Sequence, residues 1–429
     1  MVHKRIHLLL LTAILPILSP TLPVTVAQDG CASAGCHAGL LAGAHVHPAT
    51  ESCEGCHESV GSPHPQAGVK TFKLAQQAPG LCAQCHDLPG KKKVVHPPVQ
   101  EGACTTCHDP HGASQPRLLT QPLAELCQSC HDDKASAAHV HGPVGAGDCA
   151  ACHAAHESDD GALLVKPGDE LCFGCHQEIK ALTGKPHVHS ALQAGCVSCH
   201  DAHGSAHPKL LAESGSQLCF QCHGDLEEAT KSASLVHAPV RDGGCASCHS
   251  PHAGDNPKLL LKSEQDTCLG CHGAILGPAM THRHGPIQQG RCAACHDPHS
   301  SRHRALLVKE YPSQDYAPYT PAAYELCFTC HNRDLLQYPD TSFATGFRDG
   351  DRNLHHLHVN RQKGRTCSLC HGIHGSATPK LIADSVPFGK WKLPLKYVKT
   401  ETGGGCTPGC HKAMAYDREV PGRKPSSAQ

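Results

Sequence analysis

The chain has few of the side chains from which a protein of its length normally builds an apolar interior. Only 3% of its 429 residues are aromatic, with 7 Phe, 7 Tyr and 1 Trp. In contrast, 41 Gly and 33 Pro favour turns over long helices and strands. This composition argues against two or three domains with ordinary protein cores. Either another component supplies the apolar interior or the chain is not compact.

Long apolar runs are also scarce, and the one that could enter a membrane lies at the start of the chain. Lys4 and Arg5 precede an apolar run at 6–18, and small residues suited to cleavage follow it. This is the layout of a secretory signal peptide, and three prolines near the run disfavour the alternative of a membrane anchor. We predict a signal peptide at 1–27 and no transmembrane segment after its cleavage. The protein is then exported to the periplasm, or lies in the outer membrane or outside the cell in complex with partners.

Cysteine is abundant, and 30 copies in an exported chain would first suggest a disulfide scaffold. The spacing argues otherwise, because thirteen pairs have the form C-x-x-C followed at once by His. Two further pairs are stretched, with four and three intervening residues. The fifteen pairs are Cys31 and Cys36, Cys53 and Cys56, Cys82 and Cys85, Cys104 and Cys107, Cys127 and Cys130, Cys149 and Cys152, Cys172 and Cys175, Cys196 and Cys199, Cys219 and Cys222, Cys245 and Cys248, Cys268 and Cys271, Cys292 and Cys295, Cys327 and Cys330, Cys367 and Cys370, and Cys406 and Cys410.

A histidine follows the second cysteine of every pair, which is the attachment signature of c-type haem. The two thiols add to the porphyrin vinyl groups as thioethers, and the adjacent His binds the iron from one face. A disulfide would not need this His, zinc sites usually combine two C-x-x-C pairs or one pair with two spaced His, and iron–sulfur clusters typically take four thiolates. We predict fifteen covalently bound haem c groups, with proximal ligands His37, His57, His86, His108, His131, His153, His176, His200, His223, His249, His272, His296, His331, His371 and His411.

The motifs alternate between two types and form a repeat. A first-type motif usually has another His three residues after its motif His and a Pro-Lys-Leu-Leu-like tail, whereas a second-type motif follows a short apolar lead-in. First-type motifs begin at Cys53, Cys104, Cys149, Cys196, Cys245, Cys292 and Cys367, with steps typical of a repeat array. We predict about seven two-haem repeats and one further haem at Cys31. The predicted segments are a three-haem segment at 28–95, four two-haem repeats at 96–281, a two-haem repeat with a Tyr-rich insertion at 282–354, and a C-terminal two-haem module with a polar tail at 355–429.

Each iron also needs a distal ligand, and methionine is too scarce to provide them, since the chain has 3 Met. The His three residues after a first-type motif His, which we call a trailing histidine, lies on nearly the same helical face as that motif His. It therefore cannot reach the opposite side of the same porphyrin and must serve another haem. For His111 we expect this to be the next haem. A second set, the leading histidines, lies six to nine residues before a first-type motif.

Fifteen histidines are candidate distal ligands. The trailing histidines are His111, His156, His203, His252, His299 and His374, and the leading histidines are His47, His96, His141, His189, His237, His284 and His358. His64 is a substitute in the first repeat, where Val60 occupies the trailing position, and His355 completes the set. For each, the alternative is a solvated surface histidine. Spacing does not decide which His serves which iron.

These paired motifs resemble the doubled C-x-x-C-H multihaem cytochrome c family of bacteria over nearly all of residues 31–411. The segments FRDGDRNLHHLHVNRQKGRTCSLCHGIHGS, VPFGKW and TETGGGCTPGCHKAMAYDR look like a C-terminal module of such respiratory cytochromes. The resemblance implies electron transfer. It also implies other redox proteins as partners: periplasmic or inner-membrane cytochromes, further multihaem cytochromes, or an outer-membrane porin.

The fold class that we expect is mainly irregular, with short α-helices around the motifs and few or no strands, in an elongated multihaem cytochrome. The Tyr-rich insertion at 310–324 is interpreted as a surface loop, with a partner contact as the alternative. Porphyrin faces would then supply the apolar interior that the protein lacks.

Two classes of function compete. An electron-transfer protein would use closely packed bis-His haems of low potential, as suits anaerobic respiration or extracellular electron transfer. A reductase of a small nitrogen or sulfur oxyanion would need one haem with an open face, and the irregular motifs at His37 and His411 are the candidates. No C-x-x-C-K motif occurs and His is in surplus, so we favour electron transfer without enzymatic activity. Nucleic acid is an unsuitable partner, because the net charge is −1 and haem propionates make it more negative.

Overall fold

A computed structural model describes residues 31–32 and 36–422. The predicted signal peptide at 1–27 lies outside the described residues. The described chain divides into two compact units: one contains the residues up to Asp133 together with Gly142–Pro167, and the other contains Lys134–His141 and the residues from Gly168 onward. In this part of the chain, no helix is both long enough and apolar enough to cross a membrane.

The helices are short, as the Gly and Pro content predicts. The two longest α-helices, Gly224–Ser232 and Glu264–His272, have 9 residues each. The other α-helices are Pro97–Gln100, Leu123–Gln128, Gly142–Gly145, Gly168–Phe173, Gln177–Leu182, Gly215–Phe220, Ala238–Arg241, Gly285–Gln288, Glu325–Phe328, Asp334–Gln337, Leu354–Val359 and Cys367–Cys370. Turns of 3₁₀-helix span Ala38–Leu41, Pro48–Glu51, Cys53–Gly55, Cys82–Gln84, Cys104–Thr106, Pro116–Leu118, Cys149–Ala151, Gly161–Leu163, Ser190–Ala194, Cys196–Ser198, Pro208–Leu210, Cys245–Ser247, Pro257–Leu259, Gly273–Ile275, Cys292–Ala294, Arg304–Leu306, Ala322–Tyr324 and Pro379–Leu381.

The strands are two to four residues long and pair in antiparallel fashion in small sheets. Six pairs share one arrangement: His45–Val46 with Gly112–Ala113, Val94–Val95 with Glu157–Ser158, His139–Val140 with Gly204–Ser205, His187–Val188 with Ala253–Gly254, Leu235–Val236 with Ser300–Ser301, and His282–Arg283 with Gly375–Ser376. The other pairs are His57–Ser59 with Phe72–Leu74, Tyr316–Ala317 with Gly364–Arg365, Arg348–Asp349 with Arg352–Asn353, and Ser385–Phe388 with Trp391–Pro394. Val398–Lys399, Gly403–Cys406 and Met414–Asp417 form a three-stranded sheet. The expectation of short helices with few strands is confirmed, since the strands are short and form only small pairs. Their positions could not be predicted, because a two-residue strand leaves no alternating pattern in the sequence.

The six similar pairs link one repeat to the next. In each, the residues before a leading histidine pair with the residues after the trailing histidine of the following repeat. The backbone N–H of the leading histidine then donates to the carbonyl of that trailing histidine, with N···O distances of 2.8–3.1 Å. The joined residues are His47 and His111, His96 and His156, His141 and His203, His189 and His252, His237 and His299, and His284 and His374.

The Pro-Lys-Leu-Leu-like tail of a first-type motif forms a left-handed turn. Two successive residues that are not glycine have positive φ, as at Lys209 (60°) and Leu210 (58°). This conformation costs roughly 1–2 kcal/mol per residue, so neighbouring interactions must offset it. The same turn occurs at Arg117 and Leu118, Ala162 and Leu163, Lys258 and Leu259, Ala305 and Leu306, and Lys380 and Leu381.

Buried apolar side chains are concentrated late in the described chain. Leu307, Tyr311, Tyr324, Leu336 and Val359 form one cluster, and Leu369, Val386 and Leu395 form another. Tyr324 is 0% exposed and Tyr311 is 6% exposed. The interpretation of the insertion as a surface loop is therefore wrong for most of its tyrosines, because Tyr311 and Tyr324 are buried in the first cluster and Tyr319 packs against it. Tyr316 remains exposed. Before Leu307, Ala253 is the one apolar residue among the described residues that is fully buried.

Candidate haem-binding sites

Most attachment motifs place both cysteines and the histidine on a single turn of the chain. At Cys104, the carbonyl accepts the N–H of Cys107 at 3.3 Å and the N–H of His108 at 3.0 Å. The same two bonds occur at Cys82, where the distances are 3.2 and 2.9 Å. All 30 thiols are free and at least partly exposed, so they are accessible for thioether formation.

Cysteines of successive motifs approach one another. Burial and the neighbouring thiol raise the pKa of Cys127, Cys219 and Cys268 to about 11, so these thiols are protonated at neutral pH. The thiols within hydrogen-bond reach of one another are those of Cys31 and Cys53, Cys82 and Cys104, Cys127 and Cys149, Cys172 and Cys196, Cys219 and Cys245, Cys268 and Cys292, and Cys327 and Cys367. Porphyrins attached at such thiols would have adjoining edges.

Most motif histidines face a second histidine ring at a nearly constant distance. Thirteen pairs have ring centroids 5.9–6.4 Å apart, and in eleven of them the two ring planes are within 24° of parallel. In the first unit these are His37 with His64, His57 with His111, His86 with His47, His108 with His156, and His131 with His96. In the second unit they are His176 with His141, His200 with His252, His223 with His189, His249 with His299, His272 with His237, His296 with His374, His331 with His284, and His371 with His355.

This separation fits an iron between two axial imidazoles. An imidazole nitrogen coordinates a first-row metal ion at about 2 Å, so two imidazoles on opposite sides of one ion have centroids about 6 Å apart. Imidazoles in direct van der Waals contact would lie closer together. The residues present therefore fit haem iron held by two histidines.

The partner of each motif His depends on the type of motif. A second-type motif His faces the leading histidine of its own repeat, as His131 faces His96. A first-type motif His faces the trailing histidine of the following repeat, as His57 faces His111. The trailing histidine thus lies against a different motif from its own. The direction differs from our expectation, because His111 lies against the preceding first-type motif and not the next one. The strand pairs between repeats set this direction, and local spacing carries no information about them.

Hydrogen bonds orient the motif histidines of six first-type motifs. The Nδ1 atom lies 2.8–3.0 Å from the carbonyl oxygen of the first left-handed residue of the tail. An imidazole that donates from Nδ1 leaves the Nε2 lone pair free to bind a metal ion. The donor and acceptor pairs are His108 with Arg117, His153 with Ala162, His200 with Lys209, His249 with Lys258, His296 with Ala305, and His371 with Lys380.

The carbonyl oxygen of the second left-handed residue also accepts a hydrogen bond. It accepts the backbone N–H of the residue that follows the motif His, as in the 2.8 Å bond from Asp201 to Leu210. These two hydrogen bonds offset the cost of the left-handed turn. Sequence reasoning noted the Pro-Lys-Leu-Leu-like tail but assigned it no role, so these orienting residues were missed. Their signal was the fixed separation of nine residues between the motif His and the residue whose carbonyl accepts its hydrogen bond.

The leading histidines are oriented in a similar way by the neighbouring repeat. Nδ1 of His96, His141, His189 and His237 lies 2.9 Å from the carbonyl oxygen of the residue just before the paired trailing histidine. One short strand pair therefore places a trailing histidine and also orients a leading histidine.

Two of the predicted distal ligands, His355 and His358, lie on the helix Leu354–Val359. His355 faces His371 at 6.4 Å, and burial lowers the pKa of His355 to about 3, which keeps the ring in the neutral form that ligates metals. His358 was grouped with the leading histidines by spacing, but it bonds through Nδ1 to the Leu354 carbonyl and stacks on Phe347. Its pKa is lowered, mainly by burial and to a smaller degree by the nearby guanidinium groups of Arg365 and Arg361.

Two other predicted ligands, His153 and His203, occupy positions of the same kind as their counterparts in other repeats. His153 bonds to the left-handed Ala162, and the carbonyl of His203 accepts the N–H of His141. At the end of the described chain, Nδ1 of His411 lies 2.6 Å from the carbonyl oxygen of Lys412.

Five segments of the chain match the doubled CXXCH motif: residues 96–136, 141–181, 189–228, 237–275 and 284–335. The chain belongs to the doubled CXXCH family of multihaem cytochromes. Every matched segment begins at a leading histidine and ends after the second-type motif that this histidine faces. In this cytochrome the C-x-x-C-H motifs are attachment sites for covalently bound haem c. No curated protein matches the chain.

Proposed function

We propose that this cytochrome binds fifteen haem c groups and transfers electrons along them, in anaerobic respiration or in extracellular electron transfer. The observation that carries the proposal is the series of facing imidazoles at 5.9–6.4 Å, which recurs in both units. Bound haem c supplies a one-electron ferric–ferrous couple, which two histidine ligands hold at low potential.

The chain contributes position and orientation to this function. The Cys-to-Cys approaches bring the attachment points of successive motifs together, and the left-handed turns and strand pairs fix the imidazoles. Five first-type motif histidines face a trailing histidine of the next repeat: His57, His108, His200, His249 and His296. These neighbouring sites are therefore tied to one another through the backbone.

Holoprotein tests the proposal directly. Intact mass should give fifteen haems, and potentiometric titration should give a broad, low-potential reduction curve. The EPR spectrum of the ferric protein should be dominated by low-spin bis-imidazole haem. A majority of high-spin signal, or haems that are not reduced by dithionite, would contradict the proposal.

One observation favours a second candidate function, the reduction of a small nitrogen or sulfur oxyanion. Among the described residues, no histidine ring faces His411 at the distance found in the thirteen pairs, whereas the other irregular site, His37, faces His64 at 6.0 Å. An open iron face at His411 would accept such a substrate. A single high-spin haem in the EPR spectrum, together with reoxidation of the reduced cytochrome by nitrite or hydroxylamine, would favour this reading.

We further propose that the cytochrome is exported and works with other redox proteins, such as periplasmic or inner-membrane cytochromes or an outer-membrane porin. Haem attachment to C-x-x-C-H motifs is a feature of exported cytochromes and supports this location. Fractionation with haem staining tests it, because recovery with a porin indicates an outer-membrane conduit and a free form indicates a periplasmic carrier.

A further inference from the structure

The hairpin Ser385–Phe388 and Trp391–Pro394 carries an apolar face that the protein covers along half of its length. At the base of the hairpin, Val386 pairs with Leu393, and Val386 is 2% exposed within the cluster that also contains Leu369 and Leu395. Two residues further along the same face, Phe388 pairs with Trp391. These rings are 52% and 68% exposed, so the buried face continues into solvent.

Lysines are frequent in and just after the hairpin. The segment 385–400 contains Lys390, Lys392, Lys396 and Lys399 and no acidic residue, although Asp384 and Glu401 flank it. All four lysines are exposed, and none forms an ion pair with another described residue. An exposed aromatic pair next to exposed lysines is a combination found at interfaces, which have an apolar centre and a polar rim.

The hairpin also touches the last attachment motif. The Leu393 side chain lies against Gly409, where an added β-carbon would come within 2.9 Å of Leu393 Cδ2. The N–H of Thr407 donates to the Leu395 carbonyl at 3.2 Å. Both Thr407 and Gly409 lie between Cys406 and Cys410, so the exposed face is built onto the terminal site.

We propose that this hairpin is the docking surface for an acidic electron-transfer protein, which exchanges electrons with the cytochrome at the terminal site. The proposal rests on the proposed electron-transfer function. The partner's carboxylates would pair with the four lysines, and an apolar patch on the partner would cover Phe388 and Trp391. Complementary charge of this kind raises the association rate and is screened by salt.

Binding of the full-length holoprotein to an acidic flavodoxin tests the surface. Two double variants address its two parts: Phe388→Ser with Trp391→Ser removes the aromatic pair, and Lys390→Glu with Lys392→Glu reverses charge. Lys70→Glu with Lys166→Glu is the matched control, because it makes the same change in net charge at exposed lysines elsewhere. We expect each hairpin variant to weaken flavodoxin binding about 10-fold or more, and the control to bind like the wild type.

Haem content and dithionite reduction are measured for every variant, so that loss of docking is separated from loss of redox function. If the haems do not reduce in the wild type, the electron-transfer function fails. If they reduce normally but the wild type does not bind flavodoxin, or the hairpin variants bind as well as the control, the docking proposal is overturned and the function stands.

Two other occupants would also overturn the proposal. A wild-type dimer that the Phe388→Ser and Trp391→Ser variant converts to a monomer would identify a second copy of this chain as the occupant. Binding to vesicles that contain phosphatidylglycerol, lost in both hairpin variants, would identify a membrane surface.

Discussion

The backbone N–H of His47 donates to the carbonyl oxygen of His111 at 2.8 Å, yet the two imidazoles face different motifs. His47 faces His86, and His111 faces His57. One strand pair therefore positions histidines for two haem sites at once. A change in this pair should affect both sites together, which distinguishes it from the loss of a single ligand.

Loss of a single ligand is tested by His111→Ala. The substitution removes the ring that faces His57, so one haem should change from low-spin to high-spin in the EPR spectrum of the ferric holoprotein. His45→Ala is the control, because His45 lies in the same strand pair, is exposed and is outside the thirteen facing pairs. An unchanged spectrum for His111→Ala would remove His111 from the ligands.

Displacement of a strand pair is tested by Gly375→Val. A β-carbon at Gly375 would lie 2.8 Å from the carbonyl oxygen of His282 in the facing strand, so the two strands must separate. The histidines that follow and precede them, His284 and His374, face two different motif histidines. We therefore expect two haems to change in the EPR spectrum, in contrast to one for His111→Ala.

Gly277→Val is the control for that variant, since a β-carbon at Gly277 meets no atom within 4 Å. Its spectrum should match the wild type. If Gly375→Val altered one haem or none, the strand pair would not couple the two sites.

The left-handed turn predicts a stabilising substitution. Ala305 has φ 51° and its carbonyl oxygen lies 2.8 Å from Nδ1 of His296. Because glycine adopts this conformation without steric cost, Ala305→Gly should raise the free energy of unfolding by about 1 kcal/mol. Ala181→Gly, in the helix Gln177–Leu182, should instead lower it by about 1 kcal/mol. Denaturant midpoints of the two holoproteins test this, and a shift in the same direction for both variants would contradict it.

Production without haem should leave most of the chain unfolded. The apolar clusters that need no porphyrin are built from residues between Leu307 and Leu395, whereas earlier repeats bury almost no apolar side chains of their own. Limited proteolysis of haem-free chain should therefore degrade the repeats before residue 300 first and spare a fragment that contains these clusters. Holoprotein should resist cleavage along its length. Equal protection of the early repeats in haem-free chain would contradict this account.

The local chemistry of the sites could be predicted from the sequence, but the connections between them could not. The C-x-x-C-H motifs predict haem attachment because the chemistry requires those residues in that order, and the five doubled CXXCH matches support it. Attachment at all fifteen sites stays a prediction. The sequence also predicted that His111 serves a motif other than its own, and its ring does face His57. The helical turn assumed in that prediction is absent, because residues 108–111 contain a bend and no helix. Which motif His111 faces depends on a two-residue strand pair from the preceding repeat, and such a pair leaves no periodic pattern.

The insertion at 310–324 illustrates a second limit. Its tyrosines are separated by turn residues, which in sequence is typical of a loop, and the prediction of a surface loop followed from that. Burial of Tyr311 and Tyr324 arises from packing against Leu336 and Val359, which are distant in the chain. Tertiary packing of this kind overrides local composition.

The pairing of histidines from neighbouring repeats constrains the two ends of the repeat array. A regular first-type motif His faces the trailing histidine of the repeat that follows it. No regular repeat follows the motif of His371, so its facing histidine must come from another part of the chain. The ring of His371 faces His355, which lies sixteen positions earlier in the same segment. At the other boundary, His37 lacks a leading histidine and faces His64. Regular repeats could thus be inserted or deleted in the middle of the array without any change in how the histidines pair. At each boundary of the array, a specific segment must supply the facing histidine.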